Sequence, residues 1–202
     1  MLDKNIPNRS LIMQKNDTRV YPEYSLPEGF SFTFFKSGDE LEWIRLEQEL
    51  GQFDSFESGM RCFKSNFVDG QRLSPEDRII FVKDKQEEIV ATGALWDGEY
   101  LGEIKQRIHW IAVSDRCAGL GIAKAILTRL MDLYNELGYS DFIYLWTGTR
   151  SYPAVALYRK FGFTDYHGEI NPVTNEREEG YFAYNEETIA MINSLIEARK
   201  KQ

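Results

Sequence analysis

Cysteine and histidine are nearly absent, with two of each in 202 residues: Cys62 and Cys117, His109 and His167. Neither cysteine has a C-x-x-C partner, and no metal-ligand spacing assembles from so few donors, so no metal is expected. A disulfide is not favoured, because a cytosolic chain of this size does not need one. No long uncharged apolar run occurs, so no segment reads as a membrane span. The opening MLDKNIPNRSLIMQKND lacks a sustained apolar region and a small-residue cleavage site. No secretory signal is read from it, and the expected compartment is the cytoplasm. Basic residues are outnumbered, 24 against 32 acidic, for a net charge of −8. Nucleic-acid binding needs a basic face to neutralise phosphates, so that class is set aside. An acidic surface suits a cationic amine substrate, and it equally serves plain solubility. Repeats and low-complexity segments are missing too.

What remains is an ordinary globular composition, 43% apolar and 14% aromatic, enough for a real core. Residues 1–29 read as an irregular N-terminal extension, punctuated by Pro7, Pro22 and Pro27, with a short strand at Leu11–Met13. Residues 30–202 read as one domain. FSFTFF from Phe30 is a strand. Ser37 with Glu40 gives a capping box for a helix carrying Trp43, Leu46 and Leu50. Asp54 with Glu57 repeats that signature before Phe56, Met60, Phe63 and Phe67, an apolar helical stripe that faces a core or walls a pocket. Three strands follow: RIIFVK, EIVATGALW and Ile104–Val113. A long helix is predicted over Gly119–Leu137, with Gly138 as its stop. Then come a strand at Asp141–Thr147, a helix at Tyr152–Phe161, strands at Phe163–His167 and Tyr181–Tyr184, and an amphipathic helix from Asn185. Meander strands plus a βαβ-like crossover indicate an α/β (α+β) domain with a mixed sheet.

The most informative stretch is HWIAVSDRCAGLGIAKAIL, residues 109–127. A strand enters a Gly-rich turn that opens a helix. Such a turn aims several backbone N–H groups at one point, and the helix N-terminus adds partial positive charge, so both favour a phosphate. Alone, a Gly-x-Gly at this junction is also a common tight turn. No Gly-Lys-Ser/Thr follows, which excludes a Walker loop. No acidic residue holds a ribose after the next strand, which argues against a dinucleotide site.

Residues 151–163 read SYPAVALYRKFGF. With the strand and Gly-rich turn, this A-x-x-L-Y-x-x-x-G-F resembles the GNAT superfamily of N-acetyltransferases. Arg116-Cys117-Ala118-Gly119-Leu120-Gly121 fits that family's pyrophosphate motif, and the resemblance runs from about Arg78 to His167. It implies a mostly antiparallel sheet flanked by helices, with a C-terminal helix. It implies acetyl-CoA as co-substrate and a small-molecule or peptide amine as acceptor, whose pocket would use residues 39–75 and the C-terminal strands. Homodimers are common in the family. The implied coenzyme contacts are Ile111, Ala112 and Val113 on the strand, Arg116 and Ala118 to Lys124 (Ala118, Gly119, Leu120, Gly121, Ile122, Ala123, Lys124) at the turn, and Ser151, Ala154 and Tyr158 on the later helix. Ala118 stands where many members carry Arg or Gln, and Ser151 where many carry Asn. Arg116 is then expected to reach the anion.

Acetyl transfer needs a proton acceptor for the amine and a proton donor for the departing thiolate. Tyr158 fits the donor, and its alternative is a tyrosine packed in a helix interface. Glu103 and His109 are candidates for the acceptor, because equal parity puts them on one strand face. His109 titrates in the useful range; it reads equally as a satisfied core histidine, and Glu103 as a solvated strand end. Cys117 lacks a visible base. The alternative to an active acetyltransferase is a silent coenzyme-binding module with the same fold.

Overall fold

The computed structural model describes residues 5–69 and 73–201. Residues 1–4 of the expected extension, residues 70–72 of the segment expected to build the acceptor pocket, and residue 202 lie outside the described residues. Seven strands form one mixed sheet in the order β2-β3-β4-β5-β6-β1-β7. These are β1 Ser10–Lys15, β2 Ser31–Phe34, β3 Ile79–Lys83, β4 Ile89–Tyr100, β5 Glu103–Val113, β6 Ile143–Gly148 and β7 Thr164–Asp165. The helices are α1 Glu40–Glu49, α2 Phe56–Phe67, α3 Ile122–Glu136, α4 Tyr152–Lys160 and α5 Tyr181–Lys200. The chain divides into two compact units. One holds Glu23–Trp96 and His109–Leu133; the other holds the described residues up to Pro22, Asp97–Ile108 and those from Tyr134 onward. The long strands β4 and β5 run through both.

In the first unit, β2 pairs antiparallel with β3 from Ser31↔Lys83 to Phe34↔Ile80, and β3 pairs antiparallel with β4 from Ile79↔Ala94 to Lys83↔Ile89. The first four residues of β3 are fully buried, which explains its unbroken apolar run. Helices α1 and α2 cover one face through Trp43, Phe63 and Phe67, which pack with Phe81, Ala94 and Trp96. On the other face α3 comes so close that a Cβ on Gly93 would lie 2.7 Å from Ile126 and 3.1 Å from Leu130. The α3 stripe Ile122, Ile126, Leu130 and Leu133 is buried, whereas Leu137 falls past the helix and is exposed.

Both expected capping boxes shift. Asp39, not Ser37, caps α1, and it does so without a side-chain bond. The Asp39 carboxylate instead accepts from Lys36 N, and Glu40 accepts from Gly38 N. For α2 the cap is Ser55, not Asp54, in a reciprocal box with Ser58. A serine at N3 performs the return bond usually given to Glu or Gln, so the sequence signature pointed one residue too early.

In the second unit, β1 pairs antiparallel with β6 from Ser10↔Gly148 to Lys15↔Ile143 and with β7 at Met13↔Asp165 and Gln14↔Thr164. Part of the segment read as an N-terminal extension is therefore an interior strand. Parallel pairing joins β5 to β6 over Gln106↔Ile143, Arg107↔Tyr144 and Ile108↔Leu145. The expected strand at Tyr181–Tyr184 is instead the first turn of α5, closed by Tyr184 N to Gly180 O at 2.9 Å. A short aromatic run carries no period of its own, and the helix formers after it extend back through it. Arg9 pins this turn: Nε donates to Thr188 Oγ1 at 2.8 Å and Nη2 to Tyr184 O at 2.9 Å. Among the described residues no helix is long and apolar enough to cross a membrane.

One acid sits inside the first unit. Glu47 is 1% exposed on the α1 face that carries Trp43, and its Oε1 has no hydrogen-bond partner. Burial pushes its carboxyl up to about 8 from the ordinary 4.5. The folded carboxyl thus holds its proton more tightly than the unfolded one. Its contribution to stability is complete below pH 4.5 and is lost as pH climbs to about 8. Glu47→Gln keeps the shape without the ionisation. It should match the parent near pH 4 and exceed it by a few kcal/mol at pH 8, since each tenfold change in proton affinity is worth about 1.4 kcal/mol. Denaturant midpoints at the two pH values test this, and parallel profiles for the two proteins would contradict it.

Candidate functional site

The Gly-rich turn begins where β5 ends. Ser114 N donates to Val90 O at 2.8 Å and Ser114 Oγ to Glu49 Oε1 at 2.5 Å, which fixes the exit of the strand. A short 3-10 turn spans Asp115–Cys117, and Gly119 and Gly121 follow at φ +80 and +87. That left-handed backbone costs a side-chain-bearing residue roughly 1 kcal/mol or more, so glycine is required at both positions. Among the described residues, the amides of Gly119, Gly121, Ile122, Ala123 and Lys124 have no backbone acceptor, and the first bond back into the turn is Ala125 N to Gly121 O at 3.3 Å. Five donors therefore stand at the positive end of a 15-residue helix.

Lys124 completes the turn. A Cβ on Gly121 would meet its Cε at 2.7 Å and its Nζ at 3.5 Å, so the side chain lies back over the glycine. Its Nζ also stands 4.5 Å from the Tyr24 ring centroid. The motif placed Lys124 here, but nothing in the sequence pointed to Tyr24, one hundred positions away with no motif around it. Five amides and one ammonium are the donor set a diphosphate takes. Arg116 is placed otherwise than expected. Its Nη2 pairs with Glu88 at 2.7 Å and Asp84 at 3.3 Å. Those carboxylates already use the guanidinium intended for the anion, and Ala118 offers no side-chain donor in compensation.

The strand before the turn is irregular. Trp110 has φ 47 in the middle of β5. Neighbours on a regular strand point to opposite faces. Here His109 packs against Phe67 at 5.8 Å and Trp110 against Trp43 at 5.1 Å, both within the α1–α2 cluster. The left-handed residue turns two successive side chains to one side, as a bulge does. Nothing in RIHWIAV announces this, because tryptophan is a poor candidate for positive φ.

His109 is held from α2. Asn66 Nδ2 donates to Cys62 O at 2.9 Å and Cys62 Sγ at 3.3 Å, which leaves Asn66 Oδ1 facing His109 Nε2 at 3.0 Å. The main-chain carbonyl accepts only, so the amide orientation follows, and Nε2 must carry the proton. In neutral His109 the lone pair is then at Nδ1. Glu103 does not join it. It lies at the far end of β5, exposed, with its carboxylate paired to Lys105 at 3.0 Å. Equal parity is not proximity when five residues of extended strand intervene. Ala112 is buried between half-buried Ile111 and Val113. Cys62 and Cys117 are free thiols.

In the second unit, Ser151 caps α4 without a side-chain bond, and Pro153 sits in the first turn. Ser151, Ala154 and Tyr158 share one helix face by spacing. Tyr158 is 8% exposed, stacks edge-on with Phe163 at 6.2 Å, and its hydroxyl has no partner among the described residues. Burial pushes its phenol up to about 12, so the proton stays on at neutral pH.

The open turn and the later helix place the chain in a class that comparison with known proteins identifies. Residues 38–163 match the Acetyltransferase (GNAT) family, more than half of the chain, and the protein belongs to that family. Among curated proteins none matches. Solved structures share the fold. A GCN5-related N-acetyltransferase from Sphaerobacter thermophilus is 23% identical with TM-score 0.60, over 80% of this chain and 50% of its own. A GNAT-family acetyltransferase from Colwellia psychrerythraea is 16% identical with TM-score 0.56, over 79% and 53%. Glucosamine-6-phosphate N-acetyltransferase from Arabidopsis thaliana is 20% identical with TM-score 0.51, over 71% and 97%. The chain thus spans about half the length of the first two proteins, and at these identities the likeness shows the fold alone.

Lys124→Gln should weaken coenzyme A binding about fivefold to tenfold, the worth of one charge at a partly exposed anion site. Gly121→Val should weaken it further, by displacing Lys124 and straining the turn. Arg116→Gln should stay within about twofold, because its charge is already neutralised. Calorimetric titration ranks the three, and a dominant loss in the Arg116 variant would reverse the assignment.

Proposed function

We propose that this protein transfers an acetyl group from acetyl-CoA to a primary amine by direct attack, in the cytoplasm. The observation that carries the reading is the set of five uncommitted amides beneath Lys124, joined to family membership. The acetyl thioester is what the co-substrate supplies. The main chain at 118–124 and Lys124 Nζ hold its diphosphate, and Ile111–Val113 run beside its arm with their backbone. A main-chain amide of this strand is the donor for the thioester carbonyl, the kind of preorganised dipole that lowers acyl-transfer barriers most.

Two side chains move protons. His109 is the acceptor of the amine proton, with Asn66 holding its ring at Nε2. Tyr158 gives its hydroxyl proton to the departing sulfur. One C–N bond forms and one C–S bond breaks. The amine proton ends on His109 and the phenol proton on the thiol. Glu103 has no step. Ser151 and Ala154 are assigned to coenzyme contact by the family pattern alone.

Free thiol released from acetyl-CoA in the presence of an amine panel tests the activity. Tyr158→Phe should lower kcat about a hundredfold with unchanged coenzyme affinity, as for loss of a general acid, and Glu103→Gln should leave both alone. Tight coenzyme binding with no thiol release on any amine would instead favour a silent coenzyme-binding module.

A further inference from the structure

The second unit contains a cavity of about 290 Å³ that shares no residue with the Gly-rich turn. Ile12 of β1 and Trp146 of β6 form part of its wall, opposite one another in register. Tyr181 and Tyr184 of α5 form another part, and Glu178 and Glu179 stand at its rim. Three features of this cavity point to one class of ligand.

The first is aromatic surface left open. Tyr144 and Trp146 lie on the same face of β6, yet Tyr144 is fully buried while Trp146 is 53% exposed. An interior strand ends its covered aromatic face at an uncovered indole. The second is ring orientation. Tyr181 and Tyr184 stack at 6.5 Å with planes 15° apart, and the Tyr184 hydroxyl accepts from Ser10 N at 2.8 Å, which fixes its ring. Arg9, paired with Glu187, already places its guanidinium 4.2 Å from the Tyr184 centroid and takes that face of the ring, so the aromatic surface open to a ligand is Trp146 and Tyr181.

The third is unbalanced charge. No lysine or arginine lines the cavity. Glu178 Oε1 accepts from Asn171 Nδ2 at 2.7 Å and from Thr174 Oγ1 at 3.4 Å, two neutral donors that orient the carboxylate without neutralising it. Among the described residues neither Glu178 nor Glu179 has an ion-pair partner. Indole and phenol faces beside oriented, unpaired carboxylates attract an ammonium group and repel an anion. We propose that this cavity binds an organic ammonium ion. The volume corresponds to roughly ten water molecules, hence a ligand of up to about ten non-hydrogen atoms.

The test uses the full chain without any coenzyme, so it is independent of the acetyl-transfer reading. Choline is titrated by calorimetry beside 3,3-dimethylbutan-1-ol, its neutral isostere. Choline should bind saturably and the alcohol at least about tenfold more weakly, the scale of a cation–π contact plus one carboxylate. The double variant Glu178→Gln with Glu179→Gln should weaken choline about tenfold and leave the alcohol unchanged, while Trp146→Leu should weaken both. Raising the salt concentration should weaken choline alone. Equal affinity for the two probes, no choline binding, or a double variant that binds choline as the parent does would each overturn the proposal.

Discussion

An α-helix cannot hydrogen-bond its own first amides, and this constraint organises the chemistry of the chain. At Ile122 to Lys124 the orphaned donors are left open, where most helices close them with a side-chain cap. Gly119 and Gly121 extend the open set by two, because only glycine follows the left-handed path that brings those amides to the same mouth. Everything nearby serves to hold that mouth still. Ser114 is tied to Glu49 and to β4, and Gly93 lets α3 lie close against the sheet.

The cation of the turn is a matter of competition. Arg116 belongs to the motif, yet it is surrounded by Asp84 and Glu88 from the β3–β4 hairpin and is neutralised there. Among the described residues no carboxylate stands in ion-pair range of Lys124, which lies over Gly121. A point charge on a flexible stem also adapts to a phosphate more easily than a guanidinium already forked onto acids.

The irregularity at Trp110 links core and chemistry. Turning His109 and Trp110 to one side packs both against α1 and α2, where Asn66 selects the histidine tautomer. The strain of φ 47 is offset by burial of large aromatic rings in that cluster. The same unit holds Glu47 in neutral form, and that one group favours the folded state toward acidic pH.

Read alone, the sequence determined the order of most elements, the Gly-rich turn, and the helix bearing Tyr158, because local periodicity, glycine at positive φ and turn chemistry act over a few neighbours. Tertiary structure decided the rest. It placed Ser10–Lys15 inside the sheet, since strand partners are chosen across the whole chain. It made Tyr181–Tyr184 helical, since a four-residue aromatic run has no period of its own. It paired Arg116 with Asp84 and Glu88 and left Glu103 far along β5 from His109, because charge pairing and distance depend on segments far apart in sequence. Tyr24 over Lys124, Asn66 on His109 and the left-handed backbone at Trp110 left no local signal, for each is a contact or a dihedral fixed by packing rather than by the residues beside it.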